Sequence, residues 1–137
     1  MGKSIKEVMS SDVRTCKPEA TVVDVARLMA KEDVGPIPVV EGGRLVGLVT
    51  DRDLVVRVLA EGKDPKATKV GEIASRDLVT VSPDQDLDQA LKLLAKNQVR
   101  RLPVVEGGRV VGIVAQADIA RLGKDAQTGE VVEEISR

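Results

Sequence analysis

Sliding the sequence along itself by 65 positions, the step from Pro38 to Pro103, lays Val8 to Leu54 on Ile73 to Ile119 without a gap. No other feature constrains the fold as strongly, because two copies of one pattern must adopt one local structure twice. Val34-Gly35-Pro36-Ile37-Pro38-Val39-Val40-Glu41-Gly42-Gly43-Arg44 returns as Val99-Arg100-Arg101-Leu102-Pro103-Val104-Val105-Glu106-Gly107-Gly108-Arg109. A copy of about 50 residues lies near the lower limit for independent folding, so the two are expected to fold as a pair.

Both copies predict the same elements. A short β stretch (Val13 to Cys16; Leu78 to Val81) runs into Pro18 or Pro83. A helix start follows, with Thr21 and Asp86 as N-caps and Asp24 and Gln89 as their partners three residues on. Val22, Val25, Ala26 and Met29, and likewise Leu87, Ala90, Leu91 and Leu94, carry the i, i+3, i+4, i+7 spacing of a buried helix face. Ile37 to Val40 and Leu45 to Val49 form a hairpin turned at Gly42-Gly43, repeated at Gly107-Gly108, where glycine supplies the positive φ of a tight primed turn. A last helix starts at Thr50 or Ala115 and fades before Gly123 in the second copy. Each unit therefore reads β-α-β-β-α, and the fold class is α/β with mixed α+β sheets, two such units packing about a pseudo-twofold axis. The predicted boundaries are 1–62 for the first unit, 63–69 for a polar Gly- and Pro-containing linker, 70–123 for the second unit and 124–137 for a tail. In the tail, Val131 to Ile135 make a short helix or strand.

Composition removes whole classes of function. The formal charge of −1 comes from 21 basic and 22 acidic residues that are interspersed, so no basic stripe suited to nucleic acid arises. No apolar run of membrane-spanning length occurs, and the expected location is the cytoplasm. Cys16 is the only cysteine and histidine is absent, which excludes an internal disulfide and the usual metal-ligand sets. Without histidine the commonest general base is missing, and the chain reads as a binding protein and not an enzyme. Trp, Tyr and Phe are also absent, so an aromatic ligand would lie between aliphatic side chains.

The hairpin Pro-Val-Val-x-x-Gly-x-x-x-Gly in both copies, with Gly47-Leu48-Val49-Thr50-Asp51-Arg52-Asp53, resembles a tandem CBS-domain pair, or Bateman module, over residues 5 to 123. The second stretch is similar to the family's ligand motif Gly-h-h-Thr-x-x-Asp. The resemblance implies a stand-alone regulatory module that senses an adenine nucleotide such as AMP, ADP or ATP in the cleft between its units, needs no other cofactor and forms disc-shaped homodimers. It assigns Thr50, at a strand-to-helix junction, to phosphate and Asp53 to the ribose hydroxyls. Arg100 and Arg101 are implied as phosphate donors, and Val79, Thr80 and Val81 as the surroundings of the adenine. The second cleft departs from the pattern: Asp118 is kept, but Ala115 replaces the hydroxyl residue and Gly35-Pro36 replace the arginines, so it is expected to be weak or empty.

Each of these residues also has a plainer reading. Thr50-x-x-Asp53 is an ordinary capping box, worth about 1 kcal/mol to its helix with or without a ligand. Arg100 and Arg101 fit solvated surface charge, and Cys16 fits a small buried hydrophobe. Leu54, Val55, Val56, Val58 and Leu59 spread over more than one stripe, which fits either deep burial or a face that meets a second chain. The alternative function is therefore ligand-independent dimerisation or docking to an unidentified protein.

Overall fold

The computed structural model describes residues 3–126. They form two compact units, one of residues 14–78 and one of residues 3–13 with 79–126. The first-repeat unit holds helix α1 (Val22–Glu32), strands β1 (Ile37–Glu41) and β2 (Arg44–Val49), and the short helix α2 (Asp51–Asp53), which runs on as a π-helical stretch (Leu54–Leu59). The second-repeat unit holds α3 (Leu87–Asn97), β3 (Arg101–Glu106), β4 (Arg109–Ala115) and α4 (Gln116–Ala126). The fold is the expected mixture of helices and antiparallel hairpins. The hairpin turns lie where the paired glycines place them, with φ of +61° and +84° at Gly42 and Gly43 and +60° and +82° at Gly107 and Gly108.

The expected first β stretch of each copy reduces to one residue: Cys16 bridges Val39 and Val81 bridges Val104, both in the parallel sense. Prolines on both sides explain why. Cys16 donates to Pro38 O and accepts from Val40 N. The next rungs of a parallel ladder would need N–H donors from Pro38 on one side and Pro18 on the other, and proline has none. Pro103 and Pro83 impose the same limit on Val81.

The spatial units also cut across the divisions 1–62 and 70–123. A 3₁₀ turn at Ile5–Glu7 packs into the second-repeat core, where Ile5 is fully buried, and its repeat equivalent at Val70–Glu72 packs into the first-repeat core with Val70 and Ile73. Backbone pairing fixes both segments. Ser10 exchanges two hydrogen bonds with Ile113, and Ser75 exchanges two with Leu48. Two glycines admit these crossings: a Cβ on Gly112 would stand 2.7 Å from Met9 Sδ and 2.8 Å from Ser10 O, and one on Gly47 would stand 3.2 Å from Ser75 O. The predicted linker is also built in, since Thr68 is buried and its carbonyl accepts from Val22 N at the start of α1.

Three details differ from expectation. Asp86 is an N-cap whose side chain makes no capping bond, whereas Thr21 accepts from Asp24 N at 3.2 Å; the first free N–H of α3, on Leu87, is satisfied by the Lys3 carbonyl. Ala26 is exposed, because alanine stands where the other copy has the buried Leu91 and does not reach the core. Helix α4 continues through Gly123 to Ala126, since one helical glycine costs only about 1 kcal/mol against alanine. The tail segment Val131 to Ile135 lies outside the described residues.

Candidate functional site

Thr50 follows strand β2 in an extended conformation and caps α2. Its N–H donates to Asp53 Oδ2 at 2.8 Å, and Asp53 N–H donates to Thr50 Oγ1 at 3.2 Å, so the two residues form a reciprocal capping box. The plain reading of the motif is therefore realised. Three backbone donors of this junction are therefore taken by side chains and not free for phosphate: Thr50 N–H by Asp53 Oδ2, Asp53 N–H by Thr50 Oγ1 and Arg52 N–H by Asp51 Oδ1. Two carboxylates at this end add negative charge. What the junction keeps is the Thr50 hydroxyl proton as a donor and the second oxygen of Asp53 as an acceptor.

Arg57 is a participant that the motif does not name. Its Nε lies 3.7 Å from Asp53 Oδ1, and its Nη1 donates to Ile73 O at 3.2 Å. The Asp53 side chain is 18% exposed and that of Arg57 52%. The i, i+4 spacing of Asp53 and Arg57 is the available sequence signal. Nearby, a Cβ on Gly35 would come 3.1 Å from Asp51 Oδ1, so Gly35 stands against a carboxylate.

The other expected site residues belong to the second-repeat unit. Arg101 opens β3 opposite Ala115, the last residue of β4, and Arg100 accepts from Gln116 N through its carbonyl at 2.8 Å. Arg100 is exposed and Arg101 half-buried. Val81 is a core residue at 2% exposure and Val79 packs against the same core. Alternation along an extended segment turns Thr80 to the opposite face. Asp118 pairs with Arg121 within α4, where Asp53 has its threonine cap and Arg57.

Cys16 is a free, half-buried thiol against the first-repeat core, and burial pushes its pKa up to about 11. A thiol raised in this way keeps its proton at neutral pH, which lowers its nucleophilicity. A shallow hollow of about 490 Å³ opens beside it, between Thr15–Glu19 and the Gly42-Gly43 turn. On the last helical segment of this unit, Leu54 and Val58 are buried, whereas Val55, Val56 and Leu59 are 55%, 45% and 63% exposed. No helix among the described residues is long and apolar enough to cross a membrane.

A twice-repeated hairpin-and-helix unit, with a Thr-x-x-Asp junction in its first copy, is the architecture of one class of domain. The CBS-domain family model matches residues 5–60 and 70–125, and the chain belongs to the CBS-domain family as a CBS pair. It is 44% identical over 117 residues to the CBS domain-containing protein YhcV of Bacillus subtilis, covering 85% of this chain and 83% of that protein. Hypoxic response protein 1 of Mycobacterium tuberculosis is 36% identical, covering 85% and 82%. The structure of Hypoxic Response Protein I with two coordinated zinc ions superposes with a TM-score of 0.80 at 35% identity, covering 88% of this chain and 98% of that one. The present chain has no histidine and one cysteine, and among the described residues no group of three or more His, Cys, Asp or Glu side chains could hold a metal ion. The CBS pair of protein MJ0100, in complex with 5-methylthioadenosine and S-adenosyl-L-methionine, superposes with a TM-score of 0.78 at 28% identity, covering 90% and 98%.

Proposed function

We propose that this chain is a cytoplasmic regulatory module that binds an adenine nucleotide of the AMP, ADP or ATP type as a regulatory ligand and not as a resident cofactor. Asp53 carries the proposal. Its side chain is largely shielded, one oxygen is fixed by the Thr50 N–H, and the other faces Arg57 Nε at 3.7 Å. A shielded anionic acceptor suits the two hydroxyls of a ribose. The ligands of the MJ0100 pair support the reading, since both contain adenosine. Arg100 and Arg101 are the proposed phosphate donors; with the N–H groups at Thr50 and Asp53 already engaged, the phosphates depend on such side chains. Thr80, with Val79 and Val81, is proposed beside the adenine. Asp118 and Ala115 mark the second, weak or empty site.

The test is thermal unfolding followed by far-ultraviolet circular dichroism, with and without AMP, ATP and S-adenosylmethionine. A ligand at a hundred times its Kd stabilises the fold by about 2.7 kcal/mol. D53A abolishes the shift and D118A keeps it; equal effects of both substitutions refute the single-site assignment, and no shift with any of the three ligands refutes nucleotide sensing. A second reading, favoured by the exposure of Val55, Val56 and Leu59, is a module whose task is homodimerisation. In that case sedimentation gives a dimer indifferent to nucleotide.

A further inference from the structure

We infer that Arg57 positions Asp53 for ribose recognition and makes this chain select ligands that carry both ribose hydroxyls; the inference rests on the nucleotide reading above. One hydrogen bond and, as a second and longer-range anchor, one ion pair bear on the Asp53 carboxylate. Thr50 N–H fixes Oδ2 at 2.8 Å, and Arg57 Nε faces Oδ1 at 3.7 Å. Without the second anchor the carboxylate would turn about its last side-chain bond, because one hydrogen bond leaves that torsion broad. Arg57 is itself tied down: Nη1 donates to the carbonyl of Ile73, a residue 3% exposed in the first-repeat core. Two residues on, Ser75 is paired with Leu48 of β2 by hydrogen bonds of 2.8 and 2.9 Å. The carboxylate is thus referred to β2 by two routes, through Thr50 and through Ser75, Ile73 and Arg57. A carboxylate offers about four lone-pair sites. One faces Thr50 and one faces Arg57, which leaves two for a vicinal diol.

The repeat supplies a comparison within the molecule. The residue equivalent to Arg57 in the second copy is Leu122, and Asp118 pairs instead with Arg121, one position earlier along its helix. Among the described residues, an arginine that pairs with the motif aspartate and also donates to a core carbonyl is found at Asp53 and not at Asp118.

The experiment compares Kd for AMP and 2′-deoxy-AMP by titration calorimetry in the wild-type chain, R57Q and R57K, with circular dichroism confirming the fold of each. The wild type prefers AMP. In R57Q, AMP weakens about tenfold, equivalent to about 1.4 kcal/mol, while 2′-deoxy-AMP changes less than about twofold, so the preference collapses. R57K keeps a cation near Asp53 without the fixed fork of guanidinium and falls between them; it carries the test should R57Q not fold. A wild type that binds neither ligand overturns the nucleotide reading and this inference with it. A wild type that prefers AMP, with a variant that keeps the same preference, overturns the inference alone, as does an equal loss for both ligands or a wild type that binds AMP without discriminating.

Discussion

Ile5 offers the sharpest test of the exchanged segments. It lies far in sequence from the second repeat, yet it is fully shielded among Val81, Leu87, Leu91, Leu94 and Ile119. Ile5→Ala removes three carbons, worth about 2.4 kcal/mol at about 0.8 kcal/mol for each buried methylene. The cavity left behind raises the expected loss to about 3–4 kcal/mol, within the usual range for such truncations. The backbone bonds of the segment, Ile5 N–H to Gln85 O and the Ser10–Ile113 pair, are untouched by the change, so the loss reports packing alone. Because the chain lacks Trp and Tyr, urea unfolding is followed by far-ultraviolet circular dichroism. Amide exchange locates the effect: protection falls at Leu102, Val104 and Val114 more than at Val39 and Val49. Val55→Ala, at a 55% exposed position, serves as the control and stays within about 0.5 kcal/mol. A loss below about 1 kcal/mol for I5A, or exchange that rises first around Val39, would refute the placement of this segment in the second-repeat core.

Gly112→Ala forces a methyl against Met9 Sδ and the Ser10 carbonyl, and costs about 1–3 kcal/mol; Gly47→Ala, whose tightest contacts are 3.2 Å, lowers the melting temperature less. A G47A variant as unstable as G112A would contradict the difference in approach. The Cys16 thiol is raised from 9.0 to about 11 by burial. The folded state therefore holds this proton more tightly than the unfolded state, and its contribution is whole below pH 9 and lost as the pH climbs towards 11. The urea midpoint of the wild type falls through that window more steeply than that of C16A, and parallel curves would refute the assignment.

The elements that sequence made legible are those set by short-range periodicity and by backbone chemistry. The glycine pairs mark both turns, and the apolar spacing of Leu87, Ala90, Leu91 and Leu94 marks a face that is buried throughout. The first strands shrink to single bridges for a reason outside strand propensity, which says nothing about which N–H groups the partner can offer: Pro38 and Pro103 withhold theirs. The exchange of Ile5–Glu7 and Val70–Glu72 was hidden for a different reason: a repeat gives the same pattern to both segments, and pattern alone does not say which core receives which. At the site, Thr50 and Asp53 were legible as a motif. Arg57 was not, since its value comes from a carbonyl at Ile73 that lies sixteen residues further on.

The proline-limited bridge at Cys16 has a bearing on how copies of this chain can associate. The outer edge of β1 offers two outward positions, and neither has a hydrogen to give: Pro38 has no N–H, and that of Val40 is already bonded to Cys16. At the edge of β3, Pro103 likewise has no N–H and that of Val105 is bonded to Val81, which removes two of its outward donors. A passing strand finds no donor on the edge of β1 and fewer on that of β3, which weakens both as templates for growth of a sheet from molecule to molecule. Protection against aggregation is thus written into the same prolines that mark the repeat, and contact between copies is left to side-chain surfaces, where its strength and specificity can be tuned by substitution.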